Sequence, residues 1–170
     1  MPDIDTALRL RAAGALTESN LLLVALAAAH PQDGAVQYQC AWSFDILSLE
    51  RQAISYYEKA LALGLSEKEM RGAYLGLGST HRVLGNYRAA QDVFLRGLAR
   101  FPQDHALSVF YAMTLHNLGC HAQAVQRLLL ELTDTSADEG IQSYAKAIRF
   151  YAQDVDATLP DPPGDVPGAE

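Results

Sequence analysis

Five histidines are the side chains of this sequence best suited to proton transfer near neutral pH. Catalysis would require such a group beside a nucleophile, a metal ion or a second acid–base residue. The serines form no GxSxG elbow, and the sequence has no HExxH helix and no P-loop. We therefore expect no catalytic residue and no enzyme activity. The histidines are His30, His81, His105, His116 and His121.

Two cysteines, Cys40 and Cys120, lie 80 positions apart, without a CxxC pair or the Cys/His spacing of a zinc site. Such an isolated pair does not indicate a disulfide framework. We interpret both as free thiols in a reducing compartment, and we expect neither a metal site nor a cofactor.

The charge of the chain is unevenly distributed. The net charge is −7, but the last 17 residues hold five acidic side chains and no Lys or Arg. The rest has 15 acidic and 13 basic residues, a net charge of −2. A nearly neutral body creates no positive field for phosphate backbones, so we expect no nucleic-acid partner.

An apolar run, LLLVALAAA at residues 21–29, has the composition of a signal-peptide core. The preceding segment contains Asp3, Asp5 and Glu18, whereas a secretory leader requires positive charge there. Nine apolar residues are also too few to span a bilayer. We interpret the run as a buried helix, and we expect a cytoplasmic protein without a membrane partner.

A glycine-containing stretch, GLGSTHRVLG at residues 76–85, is similar in composition to a phosphate-binding loop, but it lies inside an internal repeat. The phrase HPQDGA at 30–35 recurs as FPQDHA at 101–106. The segment before the second copy, residues 71–104, reads RGAYLGLGSTHRVLGNYRAAQDVFLRGLARFPQD. Large and small residues alternate there at fixed spacings, which explains the glycines by packing and turn formation.

This segment resembles the tetratricopeptide repeat, a 34-residue helix–turn–helix unit. The matching residues are Leu77, Gly78, Gly85, Tyr87, Ala90, Phe94 and Pro102. His81 stands where the family usually has Tyr, so we expect it to pack between helices. His121 is expected to pack beside a turn, and His30 and His105 lie at predicted helix ends.

Neighbouring segments keep the same register. Gly119 stands at the turn position of Gly85 one unit later, and Ser48 occupies that position in the preceding unit. Asp104 is placed to cap a helix. Ala124 and Leu128 are the expected packing positions of one second helix. The distance between Ala53 and Ala90 is 37 residues, so we expect three extra residues near positions 66–69.

The resemblance implies an all-α fold, a right-handed superhelical array of antiparallel helix pairs (a TPR α-solenoid) with a C-terminal capping helix. The predicted parts are a divergent N-terminal helix pair at 1–33, repeat units at 34–70, 71–104 and 105–137, a capping helix at 138–156, and a disordered acidic tail rich in Pro and Gly at 157–170. In the capping helix, the predicted packing stripe is Ile141, Tyr144, Ala145, Ile148, Tyr151 and Val155, with Lys146, Arg149, Gln153 and Asp154 facing water.

In this family the first helices of the units line the concave face, where partners usually bind. The register assigns to that groove Tyr38, Gln39, Trp42, Asp45, Ser79, Arg82, Val109, Met113, His116 and Asn117. It also gives Val83 and Phe110, for which burial between units is the alternative. Trp, Tyr and Arg are the residue types that most often dominate binding energy.

These residues predict a non-enzymatic scaffold that binds a peptide or helical segment of a partner protein. The two-carboxylate clamp of some family members is missing, because Tyr38, Trp42, Ser79, Ala106 and Phe110 occupy its places. Two alternatives stay open. The length and architecture also resemble class II type III secretion chaperones, which would make the partner a secreted substrate. The apolar N-terminal pair could instead form a homodimer.

Overall fold

The computed structural model describes residues 3–158, and this part of the chain consists of nine α-helices without a β-strand. All but the first two residues of the predicted disordered tail (157–170) lie outside the described residues. The helices are α1 (Ile4–Ala12), α2 (Leu16–Ala29), α3 (Gly34–Ile46), α4 (Glu50–Leu63), α5 (Glu67–Val83), α6 (Tyr87–Arg100), α7 (His105–Asn117), α8 (His121–Thr135) and α9 (Glu139–Tyr151).

Aspartates at recurring positions cap the starts of α3, α7 and α9. The side chain of Asp104 accepts a hydrogen bond from the Leu107 backbone N–H at 3.0 Å, as the sequence predicts. Asp33 and Asp138 cap α3 and α9 in the same way. Each carboxylate satisfies a backbone donor that has no partner within the helix, which stabilises the helix by about 1 kcal/mol.

The turns inside the pairs use a left-handed backbone conformation. Gly85 and Gly119 have φ angles of +79° and +82°. Ser48, at the corresponding position of the preceding pair, has φ +56°, although a side chain makes this conformation unfavourable. The spacing of the repeat therefore fixed the turn position even where glycine is absent.

Helix pairs stack in chain order, and a core cluster forms at each junction. The first includes Leu23, Ala27 and Cys40, between α2 and α3. The second surrounds Tyr57 and Leu77, and the third surrounds Phe94 and Leu107. Contacts also join α3 to α5 and α5 to α7, so successive first helices lie side by side. This is the all-α solenoid that the repeat register predicts.

The three extra residues lengthen a helix rather than a loop. Helix α5 has 17 residues, whereas α3 and α7 have 13. It begins at Glu67, so the predicted unit boundary between residues 70 and 71 lies inside α5. The reason is a capping box, in which the side chains of Ser66 and Glu69 each bind the other's backbone N–H and start the helix one turn earlier.

The C-terminal helix packs differently from its prediction. Tyr144 and Tyr151, assigned to the packed stripe, are each 68% exposed, while Ile141, Ala145 and Ile148 are partly covered. Leu128 of α8 is 42% exposed instead of packed. The solvent-exposed side of α9, which was predicted to be polar, therefore includes aromatic residues. Within residues 3–158, no helix is both long enough and apolar enough to cross a lipid bilayer.

Small residues on the first helices are matched to the bulk of the facing side chain. A methyl group on Gly78 would lie 2.5 Å from Cζ of Phe94, which is fully buried. The corresponding positions of the next pair hold Ala112 and Leu128. Where leucine replaces phenylalanine on the second helix, alanine replaces glycine on the first helix.

We expect Gly78→Ala to lower the free energy of unfolding by about 1–3 kcal/mol, because overpacking outweighs the higher helix propensity of alanine. Adding Phe94→Leu should restore room for the methyl group. The double variant should therefore be more stable than the sum of the two single effects in urea unfolding. Strict additivity would show that the two side chains are not in conflict.

Candidate functional site

The candidate site is the groove-facing surface of α3, α5 and α7, and its centre is an aromatic pair on α3. Tyr38 and Trp42 are one helical turn apart, and their ring centroids are 6.2 Å apart at an interplanar angle of 27°. Trp42 is the only tryptophan of the chain and is 41% exposed. An exposed indole beside a second aromatic ring is a ready anchor point for an apolar group.

A cavity of about 420 Å³ opens beside this pair. All three groove helices contribute to its wall: Tyr38, Trp42, Asp45 and Ile46 from α3, Gly72, Leu75, Gly76 and Ser79 from α5, and Phe110 from α7, with Tyr57 of α4 behind them. The glycines leave room for tyrosine side chains, because a methyl group on Gly72 or Gly76 would collide with the hydroxyl end of Tyr38 or Tyr57.

Arg11, at the end of α1, is a site residue that sequence reasoning missed. Its guanidinium carbon lies 3.9 Å from the centroid of the Trp42 ring, and its Nη2 donates a hydrogen bond to Gln39 Oε1 at 2.8 Å. Burial lowers the pKa of Arg11, which nevertheless stays charged at neutral pH. The divergent N-terminal pair has no repeat register, so nothing in the sequence aligned Arg11 with the groove.

Asp45 is engaged inside the fold. The Tyr57 hydroxyl donates to its Oδ2 at 2.6 Å, and the Thr80 hydroxyl donates to its Oδ1 at 2.9 Å. Burial raises the pKa of Asp45, while the two hydrogen bonds act in the opposite direction. The carboxylate therefore joins α3, α4 and α5, and we propose this structural role in place of the predicted contact with a partner.

The other predicted residues extend along the groove in two directions. Gln39 is buried by its contact with Arg11, and Ser79 and Val109 are partly buried. Towards the C-terminal end of the first helices, Arg82 Nη1 donates to Asn117 Oδ1 at 3.4 Å. Met113 is 39% exposed beside them.

Val83 and Phe110, which the sequence assigns either to the groove or to burial between units, differ in their exposure. Val83 is 59% exposed, so burial between units does not apply to it. Phe110 is partly buried against the core cluster around Phe94 and also borders the 420 Å³ cavity. Phe110 thus serves the core and the groove together.

A comparison with protein families identifies the repeat. The model of the tetratrico peptide repeat matches residues 34–155, most of the chain. The chain belongs to the tetratricopeptide repeat family. A comparison with curated protein sequences gives no match.

Among solved structures, this TPR chain is similar to YrrB, described as a TPR protein with an unusual peptide-binding site. The TM-score is 0.67 with 17% sequence identity, over 88% of this chain and 76% of the YrrB chain. At this identity the likeness shows the fold alone.

Three of the five histidines lie within hydrogen-bonding distance of another side chain. His116 and His121 lie at the end of the groove, with their Nδ1 atoms 3.1 Å apart. His105 Nδ1 is 2.6 Å from Glu131 Oε2 on the surface. His81 is partly buried, and its Nδ1 is enclosed without a hydrogen-bond partner. His30, at the end of α2, is exposed.

Nucleophile and metal chemistry find no support among residues 3–158. Burial raises the pKa of the Cys40 thiol to about 12, which leaves it protonated and unreactive at neutral pH. Cys120 is partly buried, and both cysteines are free. No group of three or more His, Cys, Asp and Glu side chains in this range could hold a metal ion.

Removing the partly buried carboxylate of Asp45 should destabilise the protein strongly. We expect Asp45→Ala to lower the free energy of unfolding by about 2–4 kcal/mol, since Tyr57 and Thr80 are nearly inaccessible and both hydroxyls would lose their acceptor. Asp45→Asn keeps an acceptor and should cost far less. Urea unfolding of the two variants checks this, and equal losses would contradict the hydrogen-bonding role.

Acidification should destabilise the protein partly through His81. Burial lowers the pKa of His81 from its ordinary value of 6.5, so the unfolded chain binds the proton more readily than the folded chain. Stability therefore falls as the pH drops through about 6.5. We expect His81→Gln to lose less stability than the wild type between about pH 7.5 and about pH 5.5 in urea unfolding. Parallel losses would contradict this assignment.

Proposed function

We propose that this TPR protein is a non-enzymatic scaffold that binds a peptide or helical segment of a partner protein in the groove of α3, α5 and α7. The observation that carries the proposal is Trp42, whose indole is 41% exposed at the edge of a 420 Å³ cavity. A large aromatic side chain is usually withdrawn from water in a free-standing domain. Its exposure beside a cavity favours a binding role.

The surroundings of Trp42 are suited to binding without large rearrangement. Tyr38 stacks on one side, and Arg11 lies over the indole at 3.9 Å. Trp, Tyr and Arg are the residue types most common at binding hot spots, and here the Trp is held by its neighbours before a partner arrives. A preorganised anchor lowers the entropy cost of association.

Charge restricts the chemistry of the ligand. The groove carries two guanidinium groups, Arg11 near its centre and Arg82 near its end, while the Asp45 carboxylate is occupied by Tyr57 and Thr80. A segment with an apolar anchor for the cavity and a carboxylate within reach of Arg11 fits this lining best. The peptide-binding site described for YrrB supports the use of a TPR surface for a peptide ligand.

Recognition rather than catalysis is the activity we propose. His116 and His121 contact each other, His105 contacts Glu131, and the Cys40 thiol is buried. Two free cysteines suit a reducing compartment, and we propose that the protein acts in the cytoplasm. Chaperoning a secreted protein would be one specific use of the groove. Co-expression that rescues the solubility of a genetically linked exported protein would test it.

The groove assignment is tested with peptides selected on the wild-type protein from a random display library. We expect Trp42→Ala to raise the Kd of a fluorescein-labelled selected peptide by about 30-fold or more in anisotropy titrations, the effect of a hot-spot residue worth about 2 kcal/mol. Because Trp42 is the only tryptophan, its fluorescence in the wild-type protein reports directly whether the peptide reaches the indole.

Leu95→Ala is the matched control, since Leu95 is a 46% exposed apolar residue on α6, outside the groove. It should leave the affinity unchanged, and both variants should keep wild-type helicity in circular dichroism. Equal affinities of the Trp42→Ala and wild-type proteins, together with unchanged indole fluorescence, would place binding on another surface.

A further inference from the structure

Among the described residues, 3–158, the C-terminal end of the array has an uncovered packing surface. Leu128 of α8 stands at the repeat position of Tyr57 in α4 and Phe94 in α6. Tyr57 and Phe94 are 2% and 0% exposed, whereas Leu128 is 42% exposed. In the earlier pairs the first helix of the next pair covers this position. The helix that follows α8 does not cover Leu128.

Helix α9 crosses the end of α8 instead of running back along it. Gln142 Nε2 donates to the carbonyl oxygens of Thr133 and Ser136, at 3.1 Å and 2.8 Å. Arg149, two turns further along α9, forms an ion pair with Asp134 in the same turn of α8. Both halves of α9 therefore contact the last turns of α8, and the first half of α8 stays open.

The sequence of α9 explains this crossing. In the repeat register, Arg149 takes the position of Leu115, which is 3% exposed, and Lys146 takes the position of the fully buried Ala112. Placing α9 as a regular first helix would bury both charges without partners, at a large cost. The slot beside α7 and α8 is consequently left for another helix.

The open slot is a cavity of about 340 Å³ with a mostly apolar wall and a polar end. Met113, Val125 and Leu128 form its apolar part, and they are 39–45% exposed. Arg82, His116 and His121 also border it. A helix that fits this slot would present an apolar face and end near a cation and two imidazoles.

The chain itself contains such a helix. The free side of α9 carries Tyr144, Phe150 and Tyr151, each about two-thirds exposed. Tyr144 and Tyr151 are two turns apart and so lie on the same side of the helix. Asp154 and Asp156 follow the end of α9 and are exposed. An aromatic face and two carboxylates match the apolar wall and the Arg82 end of the slot.

We propose that two copies of the chain pair through their C-terminal ends, with the aromatic face of each α9 in the slot of the other copy. The three aromatic side chains expose on the order of 400 Å². With the slot residues, the two copies offer about 1,300 Å² of mostly apolar surface, within the range of stable interfaces. Asp154 and Asp156 of one copy face Arg82 of the other, which fixes the direction of insertion.

Sedimentation velocity of the full chain over a range of micromolar concentrations tests the pairing. The slot variant is Leu128→Glu, the α9 variant is Tyr144→Gln with Tyr151→Gln, and both change exposed positions on helices. We expect the wild type to be dimeric, and each variant to raise the dimer Kd by roughly 100-fold or more, since every substitution occurs twice in the interface. Circular dichroism should show unchanged helicity.

Leu21→Glu is the matched control at the opposite end, because Leu21 of α2 is 65% exposed. This variant should stay dimeric. A monomeric wild type, or a dimer that persists in both C-terminal variants, would overturn the proposal. A dimer lost only in Leu21→Glu would assign association to the N-terminal pair. Sensitivity to only one C-terminal variant would refute the insertion of α9 into the slot.

Discussion

The second helix of each pair buries large side chains against the first helix of the pair that follows. The rest of the structure depends on this constraint. Tyr57 and Phe94 are the residues that show it most directly, since both are large, both face the next first helix, and both are almost inaccessible. Gly78 lacks a side chain where the ring of Phe94 packs, and the corresponding positions of the next pair hold Ala112 and the smaller Leu128. Stability in such an array accumulates from neighbouring interfaces, so each junction has to be packed well by itself.

The groove is a consequence of the same stacking. Because successive first helices lie side by side, their outward positions form one continuous surface that the core does not need. Trp42 can therefore stay exposed without weakening a junction, whereas Asp45, on the same helix, is partly buried and bound by the hydroxyls of Tyr57 and Thr80. Two positions that the repeat register assigns to the same groove thus differ in role. The difference arises from the hydroxyl groups of Tyr57 and Thr80, which donate hydrogen bonds to Asp45.

The end of the array is where the constraint is not satisfied. Arg149 and Lys146 keep α9 from the regular position of a first helix, and its crossing of α8 leaves Leu128 and Val125 without cover. Terminal repeats usually carry a polar outer face that solves this problem. Here the free side of α9 is aromatic, so the end of the stack has the character of an interface, which is the basis of the proposed pairing of two copies.

The sequence by itself determined the number and order of the helices, the turn positions and the solenoid fold, because these follow from local signals that repeat at a fixed spacing. Asp104 and Gly119 acted as predicted, and Ser48 adopted the turn conformation from its position alone. The repeat register also assigns Trp42 to the groove, which is the proposed binding surface. Only the tertiary structure decided that Arg11 lies over the indole, that Asp45 accepts hydrogen bonds from Tyr57 and Thr80, and that α9 crosses α8. These outcomes depend on contacts between residues far apart in sequence or on burial at the end of the array, and neither leaves a periodic signal in the chain.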